Sequence, residues 1–157
     1  MSHSLTKIWI HAVFGTKDHT PLIKNEFAKQ LHAHIKSSLE KDFGCPVKAI
    51  NGINNYLHLL FLLNPNYSIK DILKNIKGES SHWVNQNNFL NAKFAWHVGY
   101  GAFSVSNSGV RIVERYILNQ TEHHKKLTFQ EEYEKFLLLH GLTVPRETVE
   151  TVSLKEE

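Results

Sequence analysis

The sequence has very little cysteine: Cys45 is the single one among 157 residues. One thiol cannot form a disulfide within the chain, and without a CxxC pair neither a structural zinc site nor a redox motif is indicated. Long hydrophobic runs are also missing, since no apolar stretch approaches the roughly 20 residues that a membrane-spanning helix needs. The first residues lack the charged-then-apolar pattern of a signal peptide. We therefore expect a cytoplasmic protein that does not enter a membrane.

Negative charge is scarce in most of the chain. Residues 1–128 contain 15 lysines and arginines against 8 acidic residues, whereas residues 129–157 contain 3 against 7. A basic body suits a polyanionic partner such as DNA, although an ordinary soluble surface is the alternative. The length and the 41% of hydrophobic residues fit one globular domain. We predict that it spans residues 1–142 and that a polar tail follows at 143–157.

Hydrophobic patterning predicts strands and helices in the first two thirds of the chain. Residues rich in β-branched and aromatic side chains predict strands over three segments, 7–14, 46–50 and 56–63. The last two flank the turn-rich segment 51–55 and are predicted to form a hairpin. An apolar residue at every fourth position predicts a helix over 25–41. Ser68 followed by Asp71 predicts the start of a second helix.

The remaining third predicts a further strand and two helices. Aromatic and β-branched residues over 94–105 predict a strand or ribbon. Asn107 or Ser108 is predicted to begin a third helix, and the capping box at 128–131 a fourth, which Gly141 ends. This order of elements is that of a split βαβ unit. We therefore predict an α+β fold, with a ferredoxin-like antiparallel sheet backed by helices and an added C-terminal helix that carries a tyrosine.

Three polar residues point to a chemical role. Tyr116 and Gln120 lie four residues apart and share one face of the third helix. His58 alternates with Leu57 and Leu59 along a strand, so its side chain points to the opposite face of the sheet from theirs. A hydroxyl nucleophile with imidazole and amide metal ligands is a set that can cut a phosphodiester. A tyrosine at the edge of the core and a structural strand histidine are the alternatives.

Five segments together resemble a known family: Val13–Lys17, Gly52–Leu60, Trp96–Ser106, Tyr116–Gln120 and His123–His124. Over nearly its whole length, the chain resembles the IS200/IS605-type single-tyrosine (HUH-like) transposases. The resemblance implies an enzyme that nicks and rejoins single-stranded DNA at hairpin-bearing element ends. It assigns the nucleophile to Tyr116, which would become joined to the 5′-phosphate and leave a 3′-hydroxyl. It also implies a homodimer whose sites each take the tyrosine helix from the partner.

The resemblance further implies a divalent cation, Mg²⁺ or Mn²⁺, held by His58 and Gln120. Family members carry His-hydrophobic-His on this strand, whereas this chain has Tyr56 at the first histidine position. A neutral phenol is a poor ligand, so Tyr56 is a candidate for ligand, for hydrogen-bond donor to phosphate, or for filler of the imidazole's place. His11 and the histidines at 123–124 are candidate replacements. With two ligands, the cation would bind weakly and keep several waters.

Basic residues on two predicted helices are candidate DNA contacts. On the second helix these are three lysines, for which a solvated surface is the alternative: Lys70, Lys74 and Lys77. Arg115, beside the tyrosine, is a fourth candidate. Its charge, that of Lys125 or the metal would help the phenol of Tyr116 to ionise, because an unperturbed tyrosine has a pKa near ~10.

Aromatic residues near two glycines are candidate stacking surfaces for unpaired bases, with core packing as the alternative: Trp96, Tyr100 and Phe103. Two other functions are alternatives. One is a catalytically degenerate or domesticated descendant that binds DNA without cutting it. The other is a ferredoxin-like regulatory protein that shares only the strand patterns.

Overall fold

The computed structural model describes residues 4–120 and 129–141. The strands in this part of the chain are β1 (Trp9–Gly15), β2 (Val47–Ile53), β3 (Tyr56–Leu62) and β4 (Gly101–Val105). The helices are α1 (Asn25–Phe43), α2 (Ile69–Gln86), α3 (Val110–Leu118) and α4 (Phe129–Leu139). Of the helices in these two ranges, none is long and apolar enough to cross a membrane.

The strands form one sheet in the order β2-β3-β1-β4, and every neighbouring pair is antiparallel. With α1 following β1 and α2 following β3, this is the ferredoxin-like arrangement, so the predicted α+β fold is confirmed. The central pair β1 and β3 aligns Val13 with His58 and His11 with Leu60. Both histidines therefore lie in the middle of the sheet, on adjacent strands.

The two faces of the sheet differ in what covers them. On one face, α1 and α2 bury the apolar side chains of β1 and β3, among them Leu57 and Leu59. On the other face, Val113 and Ile117 of α3 pack on Leu60. Burying one such side chain stabilises the fold by roughly 1.5–3 kcal/mol. The period of two along β3 therefore places Tyr56 and His58 on the α3 face, as the sequence predicts.

The last strand is shorter than predicted, because β4 occupies only Gly101–Val105 of the segment 94–105. Gly99 has a φ of +99°, which interrupts the extended backbone. The ammonium group of Lys77 donates hydrogen bonds to the carbonyl oxygens of His97 (2.7 Å) and Gly99 (2.6 Å). These two carbonyls bond to a lysine side chain of α2 rather than to a neighbouring strand. The segment before β4 is therefore a loop that is hydrogen-bonded to α2.

Two helix ends follow the predicted signals, but the start of the third helix does not: α3 begins at Val110, after Gly109 and without a side-chain cap, and Asn107–Gly109 form a short 3₁₀ turn before it. The backbone N–H of Asp71 donates to the hydroxyl of Ser68 at 3.0 Å, which caps α2. Gly141 follows α4 with a φ of +66°, as a terminating glycine does. The start of the fourth helix predicted at Thr128, the domain boundary at 142 and the polar tail lie outside the described residues.

Candidate active site

A row of three histidines crosses the sheet face under α3 and α4. Nδ1 of His58 lies 2.9 Å from Nε2 of His11, and Nδ1 of His11 lies 2.7 Å from Nε2 of His140. These are hydrogen-bond distances between ring nitrogens. β3, β1 and the end of α4 thus contribute one imidazole each to a single chain, which we call the histidine chain.

Burial keeps the histidine chain uncharged. Desolvation, with a smaller contribution from His58 and His140, lowers the pKa of His11 from 6.5 to about 2. Desolvation likewise lowers the pKa of His58 to about 3, helped by His140, and it lowers the pKa of His140. Each imidazole is therefore neutral at pH 7. Only the neutral ring has a lone pair with which to hold a metal ion.

α3 brings Tyr116 onto the histidine chain. The ring of Tyr116 meets that of His58 edge-on, with centroids 5.7 Å apart, and that of His11 at 6.4 Å. The position of the helix is fixed by its buried residues Val113 and Ile117 and by a hydrogen bond from the Asn51 side chain to the carbonyl of Leu118. The predicted nucleophile and the predicted metal ligand are therefore neighbours within a single subunit.

Gln120 follows α3 and is fully buried. Its amide nitrogen donates to the backbone carbonyl of Tyr116 at 3.1 Å, and its amide oxygen accepts a hydrogen bond of 3.3 Å from the hydroxyl of Tyr56. Tyr56 in turn meets His58 edge-on at 5.4 Å between ring centroids. The structure thus brings together all four residues to which the sequence assigns the catalytic tyrosine and the metal. Their roles stay predictions.

The donor set fits a weakly held hard cation better than a tight metal site. His58 offers one imidazole nitrogen and Gln120 one amide oxygen, and the phenol of Tyr56 already donates to that oxygen. Over the residues that the structure describes, no three His, Cys, Asp or Glu side chains are grouped so that they could hold a metal. Two neutral ligands suit Mg²⁺ or Mn²⁺ that keeps waters and gains phosphate oxygens. His58 and Gln120 are the residues that would hold it.

His11 and His140 change the prediction made from the sequence. His11 was a candidate replacement ligand, but its two ring nitrogens face His58 and His140. The histidines at 123–124 lie outside the described residues. Sequence reasoning did not name His140, because no motif marks it and its contact with His11 spans 129 residues. Only the packing of α4 reveals it.

The predicted DNA contacts lie in two different places. Arg115 is exposed on α3, next to Tyr116. The three lysines lie on α2, across the sheet from the tyrosine, so the structure does not bring them to the site. Lys70 and Lys74 are exposed there, while Lys77 binds the two loop carbonyls and desolvation lowers its pKa. A DNA contact remains a prediction for each.

The three aromatic candidates also separate. Trp96 is buried, donates its indole N–H to the hydroxyl of Ser80 at 2.9 Å, and belongs to the core. Phe103 stacks on His140 with centroids 4.6 Å apart, which backs the histidine chain. Tyr100 is 43% exposed, so it is the most accessible of the three to a base.

Comparison with known proteins adds the family. A family model described as transposase, IS200-like, matches residues 4–120. A candidate transposase from Deinococcus radiodurans R1 shares the fold with a TM-score of 0.60 and 24% identity, over 76% of this chain and 95% of that one. The structure of a REP-associated tyrosine transposase bound to a REP hairpin is similar with a TM-score of 0.56 and 17% sequence identity. The match covers 79% of this chain and 75% of that one. No curated protein sequence matches.

Proposed function

The chain belongs to the family of IS200-like transposases, and from this premise we propose that it nicks and rejoins single-stranded DNA through Tyr116. Transposases cut and rejoin DNA. The observation that carries the proposal is the edge-on contact of Tyr116 with His58, 5.7 Å between centroids, beside a buried Gln120. It supports a hydroxyl nucleophile acting beside two candidate metal ligands.

The proposed reaction has two displacements at one phosphorus. The phenolic oxygen of Tyr116 attacks, the bond from phosphorus to the 3′-oxygen breaks, and that oxygen leaves as a 3′-hydroxyl after gaining a proton. The phosphate is then joined to the tyrosine at the 5′ end of the cut. In the second displacement, a 3′-hydroxyl attacks the same phosphorus and releases the tyrosine. No oxidant or external energy source is required, because one phosphodiester replaces another.

Each residue of the site has a separate part. Mg²⁺ or Mn²⁺ held by His58 and Gln120 would polarise the phosphate and offset the charge that develops on it. Gln120 is oriented by its hydrogen bond to the Tyr116 carbonyl, so the ligand and the nucleophile move together. Arg115, exposed on the same helix, is proposed to contact a DNA phosphate.

Hairpin-bearing single-stranded DNA is the proposed substrate. The basic body of the chain, +7 over residues 1–128, supports a polyanionic partner. The structurally similar REP-associated transposase is bound to a REP hairpin, which supports folded DNA ends for this chain also. A homodimer is proposed from the family alone.

The test is incubation of the protein with labelled hairpin oligonucleotides and Mn²⁺, followed by denaturing electrophoresis. A slow band that carries both label and protein is expected, together with a free 3′-hydroxyl fragment. Tyr116→Phe should remove it, and Tyr67→Phe, which alters an exposed tyrosine that packs on Phe43 outside the site, should keep it. The proposal fails if wild-type protein binds the hairpins and forms no adduct with any divalent cation.

A second candidate function has its own supporting observation. The hydrogen bond from Tyr56 to the amide oxygen of Gln120 occupies a predicted ligand atom. A descendant that binds DNA hairpins without cutting them would have this feature. Salt-dependent hairpin binding without cleavage, in Mg²⁺ and in Mn²⁺, would favour it.

A further inference from the structure

The end of β1 is paired with a short extended segment that precedes β4. Lys17 donates its backbone N–H to the carbonyl of Ala95 at 3.0 Å, and His97 donates its own to the carbonyl of Gly15 at 2.8 Å. Between these two bonds, Thr16 forms an antiparallel bridge with Trp96. The segment 95–97 therefore lies along the end of β1, on the side away from β3.

The side chain of His97 points to the same face of the sheet as the candidate active site. Successive side chains of an extended segment point to opposite faces. Trp96 is buried in the core between the sheet and α2, where its indole N–H donates to Ser80. His97 therefore points to the other face, which α3 covers. Its ring lies nearly parallel to that of His19, at 19°, with ring centroids 6.2 Å apart.

His19 links His97 to the candidate site. A Cβ on Gly15 would lie 3.9 Å from Nδ1 of His19 and 3.8 Å from Cβ of Tyr56, so these two side chains flank Gly15 on one face. Gly15 is paired with Tyr56, whose hydroxyl donates to Gln120. Neighbouring strands lie roughly 5 Å apart, so about 10 Å separates the backbones of His97 and Tyr56. A DNA strand with one phosphate at the site has a neighbouring nucleotide within reach of His97.

The ring of His97 suits a flat ligand. The side chain is exposed. Rings in face-to-face contact approach to about 3.5–4.0 Å, so two rings with centroids 6.2 Å apart do not cover each other's faces. Every nucleobase has a flat π-face that can stack on an aromatic side chain, and in a single strand that face is open. The surface therefore fits an unpaired base.

Lys77 holds the loop that carries His97. From α2, its ammonium group donates to the carbonyls of His97 at 2.7 Å and of Gly99 at 2.6 Å. The same group lies 5.8 Å from the centre of the Phe14 ring, which belongs to β1. The two bonded carbonyls flank Val98. One lysine therefore fixes the backbone where the chain leaves the end of β1.

We propose that His97 stacks on an unpaired base of single-stranded DNA next to the cleaved phosphate, and that Lys77 is the positioning residue that holds His97 in place. The identity of the strand rests on the proposed function. The contact lies outside the residues that would supply the nucleophile and hold the cation. Stacking tolerates every base, so this contact serves capture of the strand more than choice of its sequence.

Fluorescence anisotropy with two labelled strands tests the contact, one an oligothymidylate and the other an abasic strand of the same length. Both carry the same phosphates, so the ratio of their dissociation constants isolates the contribution of the bases. His97→Ala should lower the preference for oligothymidylate by about fivefold or more, the effect of one stacked base, and leave abasic binding unchanged. His97→Phe keeps a ring and should retain most of the preference. His82→Ala, at an exposed histidine of α2, should behave as wild type.

A second pair of variants tests the positioning role. Lys77→Met removes the two hydrogen bonds and keeps an apolar side chain of similar length. Lys74→Met removes the same charge from an exposed position one turn earlier on α2. Loss of charge should weaken binding of both strands alike. Only Lys77→Met should also lower the preference for oligothymidylate, and a folded Lys77→Met protein that keeps the preference would remove the positioning role.

The outcomes separate the stacking role from the proposed function. Equal weakening of both strands in His97→Ala would indicate a phosphate contact and overturn stacking, as would an unchanged preference. If the preference follows the prediction but wild-type protein forms no covalent adduct with hairpin DNA, the stacking role stands and the transposition chemistry fails. If the adduct forms and wild-type protein binds both strands equally, the chemistry stands and the stacking role is wrong.

Discussion

The hydroxyl of Tyr56 donates a hydrogen bond of 3.3 Å to the amide oxygen of Gln120, which joins β3 to the residue that follows α3. That oxygen is the atom with which Gln120 would hold a cation. A phenol O–H that takes one lone pair of this oxygen would weaken its donation to a cation, so Tyr56 would compete with metal binding. Removing the competitor and adding a ligand are different changes, and two substitutions separate them.

Tyr56→His should tighten Mn²⁺ binding by about tenfold or more, which corresponds to about 1.4 kcal/mol. An imidazole nitrogen is a better donor to Mn²⁺ than a neutral phenol. Cleavage of hairpin DNA should rise with it. Metal titration and cleavage of one hairpin substrate can be measured on the same preparation.

Tyr56→Phe is the matched control, because it removes the hydrogen bond to Gln120 without adding a ligand. It should change Mn²⁺ affinity by much less than Tyr56→His. If both variants fold and neither changes affinity or cleavage, position 56 has no part in metal binding.

The tyrosine is predicted to act within its own chain, since Tyr116 and His58 are in contact there. A mixture of Tyr116→Phe and His58→Leu proteins should therefore stay as inactive in adduct formation as either alone. Recovery of adduct in the mixture would show that the helix is exchanged between subunits, as the family resemblance implies. Coexpression of two differently tagged chains ensures that mixed dimers are present.

Gly52→Ala should destabilise the protein by roughly 1–3 kcal/mol, a typical cost of overpacking. A Cβ at Gly52 would clash with the carbonyl oxygen of Tyr56, across the β2–β3 hairpin that positions His58. Gly78→Ala is the control, since a Cβ there meets nothing within 4 Å inside α2. Gly78→Ala should stabilise the protein by about 0.5–1 kcal/mol. Urea unfolding measures both, and equal effects would contradict the prediction.

His32→Leu should stabilise the protein, and more so in acid. Nε2 of His32 is buried and has no hydrogen-bond partner among residues 4–120 and 129–141, a feature that costs about 1–3 kcal/mol. Desolvation lowers the pKa of His32 from 6.5 to about 4.

The direction of the pH effect follows from that pKa. Between pH 6.5 and 4 the unfolded chain binds more protons at His32 than the folded chain, so stability is lost as the pH falls through this window. From pH 7 to pH 5 this histidine alone should cost the wild type about 2 kcal/mol. The variant should therefore lose correspondingly less free energy of unfolding. The same loss in both proteins would contradict the assignment.

Short-range patterns predicted much of the fold and part of the site. The period of two along β3 predicts that Tyr56 and His58 share a face, and the structure shows it. The spacing of four predicts the same for Tyr116 and Gln120, whose side chain bonds to the Tyr116 carbonyl. These relationships depend only on the geometry of one element, which the sequence specifies locally.

The features that were not predictable depend on packing between distant elements. The contact of His140 with His11 depends on how α4 lies on the sheet, which no local periodicity encodes. Lys77 has the spacing of a solvated lysine, yet its ammonium group satisfies two loop carbonyls. Trp96 belongs to the core, and its indole N–H donates to the hydroxyl of Ser80 on α2. Such partners become visible only in three dimensions.

The most direct measurement of the central claim is identification of the residue that becomes bonded to DNA. The protein is incubated with hairpin DNA and Mn²⁺, digested with nuclease and protease, and the peptides are analysed by mass spectrometry. The account predicts a nucleotide joined through phosphate to Tyr116, with no such peptide from the Tyr116→Phe protein. A nucleotide on any other residue, or an undiminished adduct in Tyr116→Phe, would contradict it.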